Sequence, residues 1–185
     1  MTRISRADAA RNRQHIVTVA RAAFADEGLE LPVREIARRS GLGAATVYRH
    51  FPARADLVAA VLAEHVAACR ADMRAALADP DAWRALSGTI RRFAEHQVAD
   101  RRLNEALFGS RTATAAFAED RRAHAKALDQ LVERARGAGA IRAGVTAGDV
   151  RTGLTAIASL RALRPETAAS STPRLVNLLL AGMSA

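Results

Sequence analysis

IARRSGLGAATVYRHFPARAD, residues Ile36 to Asp56, ends one short helical run and starts another within three residues. Ile36 and Ala37 fall on the buried side of the first helix, Gly41-Leu42-Gly43 makes a tight turn, and Ala44 to Phe51 restarts as a second helix. This is the pattern of a helix-turn-helix. At helical spacing Ala44, Val47 and Phe51 share one arc, and Ala45, Thr46, Arg49 and His50 take the opposite one. The second arc carries a guanidinium, an imidazole and a hydroxyl, which can donate to phosphate oxygens or base edges. A DNA major groove admits one helix of this width.

The same stretch resembles the DNA-binding domain of the TetR family of transcriptional regulators. The resemblance runs from about Arg13 to Leu57, through HIVTVARAAFADEGLE, VREIARRSGLGAATVYRHF and PARADL; its most specific part is TVYRHF, followed two residues later by a basic residue and then Asp-Leu. It implies a repressor-type dimer, with this domain on DNA and a larger helical domain that senses a ligand. Gly43 stands where the family usually has a serine-like cap, and Arg54 where lysine is usual. Glycine is an acceptable cap and arginine keeps the charge.

The 185 residues suit one or two small domains, and with half of them apolar they can bury a sizeable core. Few aromatics and many alanines and arginines favour helix over sheet. No apolar run approaches the roughly 20 residues of a membrane span, and MTRISRADAARNR lacks the apolar core of a signal peptide, so a soluble cytoplasmic protein is expected. A single cysteine, Cys69, excludes an intrachain disulfide, and no CxxC or similar spacing suggests zinc or another cofactor. The net charge of +9 fits a polyanionic partner, but residues 1–57 contribute +4 and residues 58–185 the other +5. The motif, more than the charge, argues for nucleic acid.

Residues 1–8 read as a mobile polar arm, and Ala9 to Glu27 as a supporting helix whose apolar positions include Ile16, Val17, Ala20, Ala23 and Phe24, stopped by Gly28. Pro32 suits the first turn of the next helix. Arg34, one turn in, either reaches a phosphate or is an exposed arginine beside Glu35. In the second motif helix Arg49 and Ala45 point most directly outward; Arg49 is the candidate for a bidentate contact to guanine, with a phosphate contact as the alternative. The family resemblance assigns Tyr48, His50 and Thr46 to phosphate contacts. Pro52 ends this helix and Arg54 opens a long one, where a cation opposes the macrodipole; a phosphate held there would offset that cost.

The long helix runs through His65 and Cys69 to about Ala78, before Asp79-Pro80-Asp81, and a shift of its far end would move its DNA-reading end. His65 and Cys69, four apart, could offer two metal ligands, although packed core or pocket lining explains them as well and two ligands do not make a site. Trp83, Leu86, Ile90, Phe93 and Ala94 form the apolar stripe of the next helix, which ends near Gln97, a polar group that must find a partner in the protein, in water or in a ligand. Leu103 to Phe108 reads as a short helix closed by Gly109. Phe117, His124, Leu128, Leu131 and Ala135 line a further one, in which His124 is either a hydrogen-bonded core histidine or a ligand contact. Trp83, Phe93, Gln97, Phe108, Phe117 and His124, together with His65 and Cys69, are the candidate pocket for a small-molecule effector.

Ala135 to Ile157, ARGAGAIRAGVTAGDVRTGLTAI, resembles the sensor domains of the SbtR-like branch of the TetR family, with Asp149-Val150 as the acidic-hydrophobic pair and Gly144 where that branch often has an acid. Two helices follow, Ala147 to Leu163 and Pro173 to Met183, separated by a loop at 164–172. LVNLLLAGM is apolar nearly all round and needs covering, so two helices from each of two subunits would pair through Val150, Leu154, Ile157, Leu175, Leu179 and Met183.

The expected fold is all-α: a three-helix domain over residues 1–57 for DNA and about six more helices over 58–185 for sensing and dimerisation. The expected function is regulation of transcription by a homodimer that binds a palindromic double-stranded operator, most simply a ligand-responsive repressor. The alternative is a metal- or redox-sensing regulator of the same fold. No Ser-His-Asp or Cys-His-Asp spacing, phosphate-cradling glycine loop or metal motif supports an enzyme.

Overall fold

The computed structural model describes residues 6–100, 102–105 and 117–185. All regular structure among them is helical, as the composition implies; two residues, Ile141 and Ser184, form an isolated antiparallel bridge. They pack as two compact units, one built on residues up to Val66 with 102–105, the other on Ala67 to Asp100 with 117–185.

The first unit starts with α1, Arg6–Glu27. Its first turn takes in residues 6–8, which were expected in the arm, and Asp8 there pairs with Arg11. Ile16, Val17, Ala20, Ala23 and Phe24 are buried along one face. Gly28 closes the helix at φ +92°, a left-handed conformation that a side chain would oppose. Pro32 sits one place earlier than expected, as the N-cap of α2, Val33–Arg39. That helix buries Val33, Ile36 and Ala37. It then ends in a complete Schellman motif: Gly41 at φ +66°, Leu42 N–H donating to Ala37 O at 3.0 Å and Gly41 N–H to Arg38 O at 3.2 Å. This geometry turns the chain sharply enough for α3, Ala44–His50, to begin two residues later from an extended Gly43.

Phe51, followed by Pro52, leaves the helical region at φ −137°, ψ 86° and stops α3, as the residue before a proline tends to. α4 then runs Arg54–Ala78, with the Asp56 carboxylate accepting from Ala53 N–H at 2.9 Å across its first turn. Val47, Phe51, Leu57 and Val61 join the buried residues of α1 and α2, and Leu103 is fully buried as well. His65 is buried and its Nε2 lies 3.3 Å from Asn104 Oδ1.

In the second unit α5, Ala82–Ala99, packs against three other helices: α6, Ala118–Gly137; α7, Ala147–Ser159; and α8, Pro165–Met183. Asp81 caps α5 by accepting from Arg84 N–H at 2.9 Å, and Thr146 with Asp149 forms a full capping box on α7. Leu86, Ile90, Leu131, Val132, Ile157, Val176 and Leu180 are among the core side chains. Gly153 lets α7 and α8 approach closely, since a Cβ there would come within 3.2 Å of Leu179 Cδ1.

Two expectations for the C-terminal region are overturned. The α-helix of α7 stops at Ser159 and tightens into a 3₁₀ turn over Leu160–Ala162, and residues 165–172 are the first turns of α8 where a loop was expected. Pro165 supplies the favourable proline at the helix start. Ala168, Thr172, Val176, Leu180 and Met183 then recur as one buried stripe, and their packing holds Pro173 inside the helix, where its ring is exposed.

Candidate nucleic-acid interface

α3 buries Val47 alone, and Phe51 follows it into the core. Ala44, expected on the packed arc, is exposed instead, so the open face is wider than the spacing suggested. Ala45 and Arg49 are exposed, Tyr48 is 49% exposed, and Thr46 and His50 are half-buried. These five candidates are thus neighbours on one short helix with an open face. Arg49 donates through Nη2 to Thr46 Oγ1 at 2.9 Å, a bond to a neutral acceptor that a phosphate or a guanine edge can replace.

Three arginines on α2 have different circumstances. Glu35 accepts from Arg38 at 2.9 and 2.7 Å and from Arg39 at 2.7 Å, and Arg39 also pairs with Glu27. Hydrogen bonds from the Arg38 and Arg39 guanidinium groups hold the Glu35 carboxyl down at about 2. Arg34 is exposed and has no carboxylate partner among the described residues, because Glu35 beside it is taken by Arg38 and Arg39. Arg54, 37% exposed, lies 3.4 Å from Glu30, whose own side chain is 97% exposed, and its Nη2 makes no hydrogen bond among the described residues. That nitrogen is itself buried, so an anion at this helix start would meet the exposed part of the guanidinium.

Two residues that the sequence did not single out hold the motif in place. The Arg13 guanidinium stacks 4.9 Å over the Phe51 ring, and His15 Nε2 lies 3.0 Å from Ser40 O. Both reach from α1 to the ends of the two motif helices. Their signal was weak, because a polar residue on a supporting helix looks like solvated surface until its partner is known.

The candidate pocket residues divide between the two units and beyond the described residues. His65 belongs to the first unit and Cys69 to the second, and no group of three or more His, Cys, Asp or Glu among the described residues could hold a metal ion. Trp83 and Phe93 are half-buried against the second core, Phe117 caps α6, and Phe108 with Gly109 lies outside the described residues. His124 Nδ1 lies 2.9 Å from Asp120 O within its own helix. Gln97 is 4% exposed, and it alone of these residues lines a cleft of about 50 Å³, with Ile157, Arg161, Ala168 and Thr172 among the other walls.

The dimer candidates also divide. Val150, Ile157 and Met183 are 2%, 0% and 8% exposed, so they offer a partner little surface, although Val150 and Met183 line a shallow groove with Leu154 and Leu179. Leu154, Leu175 and Leu179 are half-buried against the same core, whereas Leu178, which was not singled out, is 70% exposed.

A helix-turn-helix with an open face of donors, followed by an all-helical unit, defines the class: a DNA-binding regulator. Residues 16–61 match the family described as bacterial regulatory proteins, tetR family, and residues 81–185 match the C-terminal domain of SbtR-like transcriptional regulators. The chain belongs to the TetR family of transcriptional regulators, with a C-terminal domain of the SbtR-like type. A TetR regulatory protein from Mycobacterium vanbaalenii is 34% identical, with 97% of this chain and 99% of that one covered at a TM-score of 0.74. The TetR regulator SCO0520 from Streptomyces coelicolor is 30% identical over 93% and 98% of the two chains, with a TM-score of 0.69. An HTH-type transcriptional regulator of Staphylococcus aureus (strain USA300) is 43% identical over 53 residues, which span 28% of this chain and 29% of that relative. Members of the family bind DNA, typically as dimers. No helix among the described residues is long and apolar enough to cross a membrane.

Proposed function

We propose that this regulator is a cytoplasmic, ligand-responsive repressor that binds a palindromic operator as a homodimer. The observation that carries the reading is the open face of α3, where Tyr48 and Arg49 stand exposed beside Thr46 and His50. In this reading residues 1–57 read DNA and residues 58–185 sense and dimerise. Arg49 reads a base edge, with Ala45 against the groove, while Arg34, Thr46, Tyr48, His50 and Arg54 hold phosphates. Leu178 on α8 supports the dimer, because a leucine 70% exposed on the outer face of a helix that buries only its opposite stripe is best covered by a second copy of the same face. A small effector bound by the second domain favours a dimer whose two α3 helices no longer match successive major grooves.

Selection of bound fragments from random DNA tests the reading. The expected product is an inverted repeat whose half-sites are one helical turn, or a multiple of it, apart. That site, placed over a reporter promoter, should lower expression when the protein is supplied. Enrichment of a single asymmetric site would overturn the dimeric reading, and raised expression would overturn repression.

A further inference from the structure

We propose that the cleft between the C-terminal end of α5 and the junction of α7 with α8 binds a small organic carboxylate that also carries a hydrogen-bond donor. The inference rests on the ligand-responsive reading above and deepens it by naming the chemistry of the effector. Three observations converge on the cleft. Gln97 and Thr172, 4% and 5% exposed, are buried polar residues from two different helices, and both line it. Gln97 Oε1 is buried without a hydrogen-bond partner among the described residues, so it can accept from a hydroxyl or an amine.

Arg161, in the 3₁₀ turn after α7, also lines the cleft. It is half-buried, and its Nη1 donates to Ala158 O at 2.9 Å. No carboxylate pairs with it among the described residues, in contrast to Arg38, Arg39, Arg84 and Arg151, each of which has one. A half-buried guanidinium with donors left over matches a carboxylate, which it can hold through two parallel hydrogen bonds. The remaining walls, Val98, Ile157, Pro165 and Ala168, suit a short hydrocarbon body. At about 50 Å³ the cleft is roughly a third of the ~150 Å³ cavity that holds a benzene ring, so it takes only the head of a larger molecule or the whole of a very small one.

The test uses the full-length protein and lactate as probe, which offers both a carboxylate and a hydroxyl. Propionate lacks the hydroxyl and propan-2-ol lacks the carboxylate. Saturation-transfer NMR at constant ionic strength should show saturable lactate binding with a dissociation constant on the order of millimolar, as its few atoms allow. Propionate should bind several-fold more weakly, and propan-2-ol should not bind measurably. Arg161→Gln should weaken lactate at least tenfold, with Arg161→Lys between the two. Gln97→Met should erase the advantage of lactate over propionate. Thermal melts of each variant establish that it is folded, and the lysine and methionine variants keep the test open if the glutamine variant is not.

Equal binding of lactate to wild type and Arg161→Gln would overturn the proposal. So would an absence of binding, whether Gln97→Met raises the melting temperature, which makes the amide a solvated defect, or Arg161→Gln shifts the dimer equilibrium tenfold, which makes the cleft an interface. Operator titration of the same samples separates the two readings. Lactate binding that depends on Arg161 but leaves operator affinity unchanged keeps the site and removes the ligand-responsive reading, whereas failure of lactate to bind leaves repression by the free protein untouched.

Discussion

α3 and α8 expose opposite chemistries. α3 buries one residue of seven and presents hydroxyl, phenol, imidazole and guanidinium groups. α8 buries a stripe from Ala168 to Met183 and leaves Leu178 as its large exposed apolar side chain. A short helix with so little burial cannot hold itself, so its position comes from its neighbours: the Schellman turn at Gly41, the Phe51 anchor and the Arg13 cation over that ring. α8 is held by its own stripe, and its outer face is free to take any residue that a partner requires. Stability and recognition are therefore separate residues on both helices, and substitutions can break one without the other.

The largest effect should come from the anchor. Phe51→Ala removes a ring that is 2% exposed and should destabilise the first unit by about 3–5 kcal/mol. DNA binding should then fail at temperatures where the wild type is active. Trp83 is the single tryptophan and lies in the second unit, so its fluorescence follows that unit alone. Its unfolding midpoint in urea should move much less than the loss of helix by circular dichroism. Equal movement of both signals would mean that the anchor serves the whole chain.

Next is the apolar face. Leu178→Glu should raise the dimer dissociation constant by about thirtyfold or more, equivalent to roughly 2 kcal/mol, while the helix content stays unchanged because the side chain is exposed. Leu180→Glu, only two residues on and 4% exposed, should unfold the second unit instead. Sedimentation of both proteins distinguishes them. An unaltered dimer in Leu178→Glu would move the interface away from this face of α8.

How well each region could be read from sequence follows the same division. The helix-turn-helix was legible because its turn needs glycine at Gly41 and its stop needs Pro52, and both residues announce their backbone geometry. α4 and α5 were legible from Pro80 between them and from the capping aspartate Asp81. The first half of α8 was not, because Ala168 and Thr172 are small and carry little hydrophobic signal, and Pro173 reads as a helix start when burial in fact carries the helix through it. The cleft at Gln97 was hard to read for a related reason. Aromatic residues such as Trp83 and Phe93 suggest a ligand site by type, yet here they pack on the core, and the cleft is lined by Gln97 with Arg161 and Thr172 from segments that no spacing connects to it.

A smaller but more specific effect is expected at Arg49. Among the described residues its exposed guanidinium is tethered only by Thr46, so Arg49→Ala should leave the fold alone. It should relax preference at one symmetry-related base pair per half-site, at about 1–3 kcal/mol each, with little change in non-specific affinity. Operator variants altered one base pair at a time, titrated at fixed salt, provide the measurement. A uniform loss across all variants would make Arg49 a phosphate contact and leave base reading to Ala45 or Thr46.

The smallest expected effect sets the two units against each other through pH. In the first, Glu35 is held at about 2 by Arg38 and Arg39, below its ordinary 4.5. A carboxyl depressed in the folded state stabilises fully above its unfolded value, so this contribution should fade as pH falls from about 4.5 towards 2. In the second, His96 Nδ1 lies 3.3 Å from Asp100 and Nε2 3.1 Å from Asp72, and these carboxylates raise it above 6.5. A histidine raised in the folded state stabilises fully below its unfolded value, so this contribution should fade as pH climbs from 6.5 through the higher folded one. Both groups are partly open to solvent, which keeps each contribution modest. Chemical denaturation followed by Trp83 should therefore show a decline above neutrality that is absent in His96→Gln. Glu35→Gln should leave that decline intact and flatten only the acid side of the total helix signal. If His96→Gln keeps the same alkaline slope as the wild type, the two aspartates do not hold a protonated imidazole, and the loss must come from another group in the second unit.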